Sequence, residues 1–431
     1  MLFSEHYGEL KALQACRYPI ANVGSVLSVI QDGLHGIRRY VPEGVALLGV
    51  GNVTEDGIDL SQVNCISAEE HDRLVSSQVK RGDLLVTITG RLGTASLYDS
   101  DALANLSAHV ALCRPNPDFD LLYLKHFFAS RFGAASFSKA QIGSTHPHIN
   151  VRRLAELPLP LPPLATQREL AEGMESAREL RRAKLTEADA LLSSLDDYLL
   201  DKLGLAHPPT DARRTFAVRL GTINASRFDP DYFHPERILT VRDMQTRAGL
   251  MRNAPLQTVV DFQRDPLTSP GDNYLSLAHV QSHTGELAES DETATGACFV
   301  FRSGDVLFGR LRPYLNKVHR AERDGCCSPE FHVMRVRPGA DLQPDYLAAI
   351  LRSSLTLAQT RHMMTGNTHP RLATDDVVNL VVPIPDMTVQ MAIAAEVQRR
   401  RELARRLRAE AEAGWSEAKR WFEEQLLGPA P

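Results

Sequence analysis

The stretch Leu157-Pro-Leu-Pro-Leu-Pro-Pro-Leu164 leads into a proline-free segment from Gln167 to Leu203, which is followed by Gly204. Proline has no amide hydrogen to donate and clashes with the preceding helical turn, so residues 157–164 are predicted to be extended. The next segment is rich in Leu, Ala, Glu and Arg, which favour a helix, and a following glycine suits a C-cap. At about 1.5 Å per residue, the segment predicts a rod of roughly 55 Å.

The same arrangement occurs again towards the C-terminus. The proline-containing segment Leu380–Met387 precedes a second predicted helix, which runs from Gln390 to Leu427 and is followed by Gly428. Its apolar residues are spaced less regularly than the three- and four-residue steps of the first helix. A long helix with one apolar stripe needs a partner along much of its length.

Two arrangements of the long helices remain open at this point. Each helix can lie on its own globular part, or the two helices can pair with each other. We favour pairing of the two helices with each other, as a coiled-coil spacer, because two copies of one rod are present in the same chain. If they pair antiparallel, the globular parts are held at opposite ends of a bar.

The repeat extends upstream of both helices. Residues 109–167 align with residues 332–390 without a gap, and both segments contain Gly-x-Thr-His-Pro, at 143–147 and at 366–370. A repeat of this length is too long for a solenoid, so it predicts two similar domains.

The predicted fold class is α+β, because short glycine-flanked strands alternate with a few helices in both copies. Two similar globular domains are joined by two long antiparallel helices, with an internal pseudo-two-fold. The predicted boundaries are 1–164 for the first globular domain, 165–204 for the first long helix, 205–222 for a linker, 223–387 for the second globular domain and 388–428 for the second long helix.

Composition limits the functional classes. The formal net charge is −5 and no segment is strongly basic, so any DNA contact has to come from a local patch or be shared with a basic partner. Six cysteines lack CxxC spacing, which fits a reducing cytoplasm better than disulfides or zinc. We expect a cytoplasmic chain with no membrane contact, because neither a signal peptide nor an 18-residue apolar run is evident.

Motifs that would indicate catalysis are missing from the sequence. A Walker loop, GxGxxG, HExxH, GxSxG and the Asn/Asp-Pro-Pro-Tyr/Phe tetrapeptide of amino-methyltransferases do not occur. The histidines show no metal-ligand spacing. His146 and His369, inside the repeated motif, better suit a packed turn or a phosphate contact than catalysis. We therefore predict no catalytic residue, no metal and no cofactor in this chain.

Basic and hydroxyl side chains gather in four loops. Arginine can bind guanine edges or phosphates and tyrosine can stack, so these loops suit a DNA duplex, although each alone resembles an ordinary surface loop. The predicted DNA contacts are Thr87, Thr89, Arg91, Lys139, Ser144, Thr145, His146, Arg310, Arg312, Tyr314, Asn316, Lys317, Asn367, Thr368, His369 and Arg371.

Taken together, these motifs resemble the specificity subunit of type I restriction–modification systems. The resemblance covers nearly the whole chain and rests on Gly143-Ser-Thr-His-Pro147 with the proline-rich segment after it, on their second copy, on Arg227–Glu236 and on Gly304–Lys317. It implies two target recognition domains, one for each half of a bipartite DNA target, and long helices that dock two modification (methyltransferase) subunits and, through them, restriction (endonuclease) subunits. It also implies that S-adenosylmethionine and methyl transfer belong to the partner.

The two copies differ in their loops, because Thr87–Gly93 and Phe308–Tyr314 have unlike sequences. We therefore expect an asymmetric target of two different half-sequences. Helix length would then set the spacer between them, on the order of ten or more base pairs. The alternative is a non-catalytic protein-binding scaffold or regulator built from duplicated domains, which the acidic balance leaves open. An enzyme with its own active site is the weakest interpretation.

Overall fold

A computed structural model describes residues 2–33, 39–143, 147–211, 215–218, 230–246, 251–267, 273–294, 296–366 and 368–427. The chain divides into two compact units. The first contains residues 1–185 and 408–431, and the second contains residues 186–407. The predicted boundaries assign each long helix to a segment of its own, whereas both helices divide their residues between the two units.

The first unit is built from short strands and helices around two four-stranded sheets. Their orders are β6-β3-β10-β7 and β2-β11-β8-β9. The strands are β1 (Ile20–Asn22), β2 (Leu27–Asp32), β3 (Val45–Leu48), β4 (Val53–Thr54), β5 (Gly57–Ile58), β6 (Asn64–Ile66), β7 (Gln78–Val79), β8 (Leu84–Thr87), β9 (Ala95–Leu97), β10 (Ala104–Leu106), β11 (Val110–Pro115) and β12 (Pro158–Pro160). The helices that lie wholly in this unit are α1 (Leu2–Gln14), α2 (Ala68–Arg73), α3 (Leu121–Ala129), α4 (Arg131–Ala140) and α5 (Val151–Ala155).

The first long helix has a single interruption. It consists of α6 (Leu164–Ser193) and α7 (Leu195–Leu203), where one continuous helix was predicted. At the break, Arg400 donates hydrogen bonds to the carbonyl and to the hydroxyl of Ser194, at 3.0 and 2.8 Å. The helix ends as predicted, because Gly204 is left-handed with φ 62° and caps α7.

The second unit repeats the architecture of the first. Its four-stranded sheets have the orders β14-β21-β18-β19 and β15-β17-β20-β16. The strands are β13 (Arg252–Pro255), β14 (Val260–Gln263), β15 (Pro266–Leu267), β16 (Tyr274–Leu275), β17 (Cys298–Phe301), β18 (Val306–Gly309), β19 (Val318–Arg320), β20 (Gly325–Cys327), β21 (Phe331–Val336), β22 (Met364–Thr365), β23 (Arg371–Leu372) and β24 (Val381–Ile384). The helices that lie wholly in this unit are α7, α8 (Pro235–Thr246), α9 (Pro344–Arg352), α10 (Ser354–Thr360) and α11 (Thr374–Val377). The predicted α+β class with two similar sheet-rich units is confirmed.

The proline-rich segments are extended, as predicted. Pro158–Pro160 pairs antiparallel with β1, and Val381–Ile384 pairs antiparallel with β13. In the first unit the hydroxyl of Tyr123 donates to the carbonyl of Pro160 at 2.8 Å. The equivalent bond in the second unit joins Tyr346 to Pro383 at 2.7 Å. A buried tyrosine therefore anchors each segment just before its long helix.

The second long helix, α12 (Met387–Leu427), is continuous over 41 residues. Within the first unit it packs antiparallel to α6. Arg181 bonds Glu412 at 2.9 Å, and Lys184 bonds Glu410 at 2.9 Å. Gly173 faces the ring of Trp421 so closely that a Cβ there would lie 2.6 Å from it.

Within the second unit the same two chain segments pack together again. Ala188, Ala404 and Leu407 form a small buried cluster, and Arg400 reaches Ser194. Residue numbers rise along one helix as they fall along the other, so the predicted antiparallel pairing is confirmed within each unit.

The gap-free sequence alignment is wrong in one strand. Arg114 binds Asp83 at 2.7 Å, and the residue that binds the equivalent Asp305 at 2.7 Å is Arg335, not the aligned Arg337. Strands β11 and β21 also share the burial pattern that this shifted register implies. The second unit has a longer connection between the strand and the Gln343 N-cap of α9 than the first has before the Asp120 N-cap of α3. The extra residues of this connection bring α9 back into the gap-free alignment with α3.

Among the described residues, no helix combines the length and the hydropathy that a membrane span requires.

Candidate nucleic-acid interface

In the first unit, two of the predicted loops lie side by side. The loop after β8 pairs with the segment before α5 through a bridge between Thr89 and His148. The amide of Gly90 donates to the carbonyl of Pro147 at 3.0 Å. Positive φ at Gly90, 71°, permits this turn, because glycine has no Cβ to clash. Two sequence segments that are far apart in the chain thus form one surface.

The second unit assembles its loops in the same way. A bridge joins Leu311 to Arg371, and the amide of Arg312 donates to the carbonyl of Pro370 at 2.7 Å. These contacts are equivalent to those of the first unit. Each unit therefore presents one composite loop pair, in which the segment that follows a core strand donates a backbone hydrogen bond to the proline that ends the Gly-x-Thr-His-Pro motif.

The loop pair of the first unit carries exposed cationic and imidazole side chains. Arg91 and Lys139 are exposed, with Lys139 in the last turn of α4. Thr89 is half-buried, and its hydroxyl lies 3.2 Å from Nδ1 of the exposed His109. His109 and His148 were absent from the predicted contacts, because no local sequence signal marks a residue on a strand end as part of a loop surface.

Thr87 does not fit the prediction of a DNA contact. Its side chain is fully buried. The hydroxyl donates to the carbonyl of Arg91 and accepts from the amide of Thr94 at 3.1 Å. Thr87 thus shapes the turn that carries Arg91, and its side chain does not face solvent.

The loop pair of the second unit has a rigid tip. A short 3₁₀ turn, Pro313–Leu315, is flanked by Arg312 and Asn316, whose φ values of 49° and 52° are left-handed. Such conformations cost free energy for residues other than glycine and persist only where the surroundings enforce them. Arg312 is exposed, and Tyr314, at the tip, is 48% exposed. The turn therefore fixes the backbone from which an exposed arginine and an exposed tyrosine project.

Two further predicted residues connect this turn to the rest of the unit. Asn316 is buried, and its amide nitrogen donates to the carbonyl of Arg352 at 2.7 Å, so this side chain faces inward and does not fit the prediction of a DNA contact. The half-buried Lys317 donates to the carbonyl of Leu277 at 2.7 Å, and burial lowers the pKa of its ammonium group. Both side chains are engaged with backbone carbonyls inside the unit.

Arg371 is oriented by a carboxylate that is not among the predicted contacts. Its guanidinium contacts Glu330 through Nη2 at 2.6 Å and through Nε at 3.0 Å. The hydrogen bond with Glu330 raises the pKa of Arg371, so the arginine stays charged. Nearby Thr368 and His369 are exposed, and Arg310 is half-buried with its Nε enclosed.

Four predicted contacts, Ser144, Thr145, His146 and Asn367, lie outside the described residues. Of the remaining twelve, Thr87 and Asn316 are buried, and Lys317 is half-buried against a backbone carbonyl. The other nine side chains are at least partly exposed. That these residues bind DNA remains a prediction.

A cluster that could suggest a metal centre lies elsewhere in the second unit. His234, Glu236 and His362 bring their ligand atoms within 4.8 Å of one another. Glu236, however, is bonded by Arg361 at 2.6 Å and by His362 at 2.8 Å. The two imidazole rings stack at 3.5 Å and 17°. Stacked rings direct their lone pairs side by side and not to one point, so the geometry suits an ion-pair cluster better than a chelate.

Comparison with known proteins connects this geometry to a class. Residues 62–188 match the family model described as the type I restriction modification DNA specificity domain. This range contains both halves of the first unit's loop pair. The chain therefore carries a type I DNA specificity domain, and the resemblance seen in the sequence is confirmed.

Individual relatives agree with this class. The chain is 21% identical over 274 residues to the type I restriction enzyme EcoDI specificity subunit of Escherichia coli, a match that covers 59% of this chain and 57% of that protein. It is 24% identical over 138 residues to the EcoBI specificity subunit of the same organism, covering 31% of this chain and 29% of that protein. The matches thus span little more than half of the first relative's length and less than a third of the second's.

Solved structures extend the likeness in fold. A chain from a study of complex assembly and conformational transition of the type I R-M system superposes with a TM-score of 0.51 at 16% identity, covering 95% of this chain and 96% of that one. The S subunit of a type I restriction-modification system from M. genitalium gives a TM-score of 0.48 at 12% identity, covering 96% and 97%. The first of these shows that the fold is shared over nearly the whole chain.

Proposed function

We propose that this chain is the DNA-reading subunit of a type I restriction–modification complex. The observation that carries the proposal is the loop pair, which lies inside the matched specificity domain in the first unit and recurs with equivalent hydrogen bonds in the second. Each unit would read one half of a bipartite target in double-stranded DNA. The exposed Arg91 and Arg312 supply the side chain best suited to guanine edges and phosphates.

The two loop pairs differ in chemistry, which supports an asymmetric target. The first unit places Thr89, His109 and His148 at positions where the second has Leu311, Glu330 and Arg371. A threonine hydroxyl and two imidazoles can donate and accept hydrogen bonds, whereas an arginine fixed by a carboxylate donates only. Unlike donor patterns select unlike base pairs in the major groove.

Chemistry on the target would belong to the partners. Two modification subunits would dock on the long helices, carry S-adenosylmethionine and methylate adenine, and restriction subunits, where they exist, would join through them. A cytoplasmic location, with access to DNA, is supported by six cysteines that form no disulfide with one another. The role of helix length in setting the spacer stays a prediction.

Methylome sequencing of the host, with and without this chain, tests the proposal. We expect a bipartite adenine-methylation motif that disappears when the chain is removed and returns when it is restored. A chimera in which residues 1–160 come from another specificity subunit should alter one half of the motif and leave the other unchanged. An unchanged methylome after removal would reject the proposal. A chimera that altered both halves would reject the assignment of one half of the target to each unit.

A further inference from the structure

Each unit contains a short hairpin that reaches one of the long helices. In the first unit this hairpin consists of β4 and β5, in which Val53 pairs with Ile58. In the second unit a bridge between Val280 and Leu287 closes a hairpin of its own. Each hairpin directly follows a short 3₁₀ turn, whose last side chain accepts the backbone amide that precedes the turn. The two hairpins are therefore equivalent elements of the two units.

An arginine of the long helix binds the tip of each hairpin. In the first unit, Arg178 of α6 donates to the backbone carbonyl of Asp56 at 3.0 Å. In the second unit, Arg401 of α12 donates to the backbone carbonyl of Thr284. The two arginines are separated by the same offset that aligns the two copies of the repeat. The same contact thus occurs at the same helical position in both units, although the hairpins differ in length and sequence.

Charged side chains add a second contact between each helix and its hairpin. One turn further along α6, Arg181 pairs with the carboxylate of Asp56 at 3.3 Å. In the second unit, Arg405 of α12 lies 3.8 Å from the carboxylate of Glu286 in the hairpin. Partly exposed ion pairs contribute little to stability, so these pairs mainly keep each hairpin beside its helix.

A glutamine attaches each unit to the same helix at another point. The side chain of Gln167 on α6 accepts the amide of Asp120, the N-cap of α3, at 3.0 Å. On α12, Gln390 accepts the amide of Gln343, the N-cap of α9, at 2.9 Å. Both glutamines are buried. Each precedes its arginine by eleven residues, which corresponds to about three helical turns or roughly 16 Å.

This spacing places the glutamine and the arginine on the same face of the helix. Each unit is thus held at two points along one side of a long helix, whereas a single point would allow the unit to tilt. A tilt of roughly 12° about one point moves atoms about 16 Å away by about 3.4 Å, the rise of one base pair. The contact at the hairpin tip therefore has the leverage to change which base pair a unit reaches.

We propose that Arg178 and Arg401 are positioning residues that fix the spacing between the two halves of the target. Each holds the loop pair of its unit at a constant angle to the long helix, without which helix length could not define a spacer. This inference rests on the proposed DNA-reading function. Because each arginine binds a backbone carbonyl, the hairpin sequence can change without loss of the contact. The same helix can therefore carry units that read different half-sequences.

Arg178→Met and Arg401→Met test the positioning role, because methionine keeps an apolar stem but has no N–H to donate. Methylome sequencing of hosts that carry each variant reads the spacer directly. We expect the unaltered chain to give one spacer length. Each variant should add methylated sites whose spacer is one base pair longer or shorter, because its unit can tilt on the remaining attachment.

Binding of the assembled complex to duplexes that carry the sequenced motif gives the magnitude. We expect the preference for the correct spacer, over a spacer changed by one base pair, to fall at least tenfold in each variant. Discrimination against a changed base within either half should move by less than twofold, which a general loss of structure would not spare. Arg182→Met and Arg399→Met, at exposed arginines of the same two helices, are the matched controls and should keep the spacer preference.

Insertion of two glycines after Asp56, or after Thr284, separates the carbonyl from its arginine without altering either helix. These variants serve where a methionine variant does not fold, and should lose the spacer preference in the same way. The inference is overturned if folded variants keep the spacer preference of the unaltered complex, or if they lose discrimination within a half instead. An unaltered complex that methylates no bipartite motif would reject the DNA-reading function itself, and the inference with it.

Discussion

Arg371 and Glu330 form a two-point contact in the second unit, with guanidinium Nη2 and Nε both bonded to the carboxylate. The arginine side chain is 42% exposed and the glutamate side chain 28%. Exposed ion pairs contribute only about 0–1 kcal/mol to stability. The pair therefore orients a guanidinium more than it stabilises the fold, which allows its effect on DNA binding to be separated from its effect on folding.

Arg371→Lys keeps the charge but loses the planar fork that binds the carboxylate twice. We expect the unfolding free energy to change by less than about 1 kcal/mol. Binding of the assembled complex to its target should weaken by about 1–3 kcal/mol if the arginine reads a base. Fluorescence anisotropy on target and unrelated duplexes measures this. Arg323→Lys, at an exposed arginine of the same unit, is the control. For Arg371→Lys, an equal loss of affinity on both duplexes would indicate a phosphate contact.

Arg91→Ala and Arg312→Ala should act on different halves of the target. Each removes one exposed guanidinium from one loop pair. Competition with duplexes altered in a single half-site should show relaxed specificity at the half read by the altered unit only. Arg73→Ala, an exposed arginine on α2, should leave both halves equally well read. Relaxation of the same half by both substitutions would contradict the assignment of one half to each unit.

Glu175→Gln should destabilise the first unit by about 2–4 kcal/mol. Glu175 accepts from Lys125 and His126, both at 2.8 Å, and from Arg178, so its loss leaves a buried ammonium unpaired. Tryptophan fluorescence in urea isolates this unit, because both tryptophans, Trp415 and Trp421, belong to it. Gln398→Ala, at the equivalent position of α12, should leave that transition unchanged.

Acidification should test the same network. Burial alone raises the pKa of Glu175, but hydrogen bonds from His126 and Lys125 outweigh it and hold the pKa well below its ordinary value. A depressed carboxyl pKa stabilises the folded state above the unfolded pKa near 4.5, and that stability is lost as the pH falls below it. The fluorescence transition should therefore weaken steeply under acid. A slope that is as steep in Glu175→Gln would exclude this carboxyl as the cause.

His332 should make the second unit sensitive to a milder range of pH. Burial lowers the pKa of this histidine from 6.5 to about 4. The unfolded chain binds the proton first, so the contribution is intact above pH 6.5 and is lost as the pH falls towards 4, by up to about 3 kcal/mol. Circular dichroism should report this loss while tryptophan fluorescence does not. His332→Ala, which copies the equivalent Ala111, should flatten the dependence, whereas removing the exposed His369 should not.

Local rules were sufficient for the parts of the fold that they govern. Proline geometry predicted the extended segments. Gly204 ends α7 because, without a Cβ, it adopts a positive φ, and the Asp120 carboxylate caps the start of α3. No signal in the sequence indicates the interruption at Ser194, where the structure places Arg400, a residue distant in sequence that becomes a neighbour only when the helices pair.

Composition predicted which loops have the chemistry to contact DNA, and burial in the structure shows which of their side chains face solvent. Arg91, Arg312 and Tyr314 are exposed as expected, whereas Thr87 and Asn316 have the right chemistry but face inward. A hydroxyl or amide serves a tight turn as well as it serves DNA, and sequence alone does not separate the two roles. The gap-free alignment also misses the two-residue shift of β21. It pairs His109 with His332 because they are the same residue type, but the two occupy different positions relative to their strands.

The division of α12 between the units has a consequence for synthesis of the chain. The core of the first unit includes Trp415, Phe422 and Leu426 beside residues as early as Leu13. The ribosome therefore has to synthesise the chain beyond Leu426 before the N-terminal unit can close its interior. Apolar surface from the early residues stays uncovered during translation, which makes the last helical turns a decisive step in biogenesis and a premature stop there far more damaging than its distance from the loops suggests.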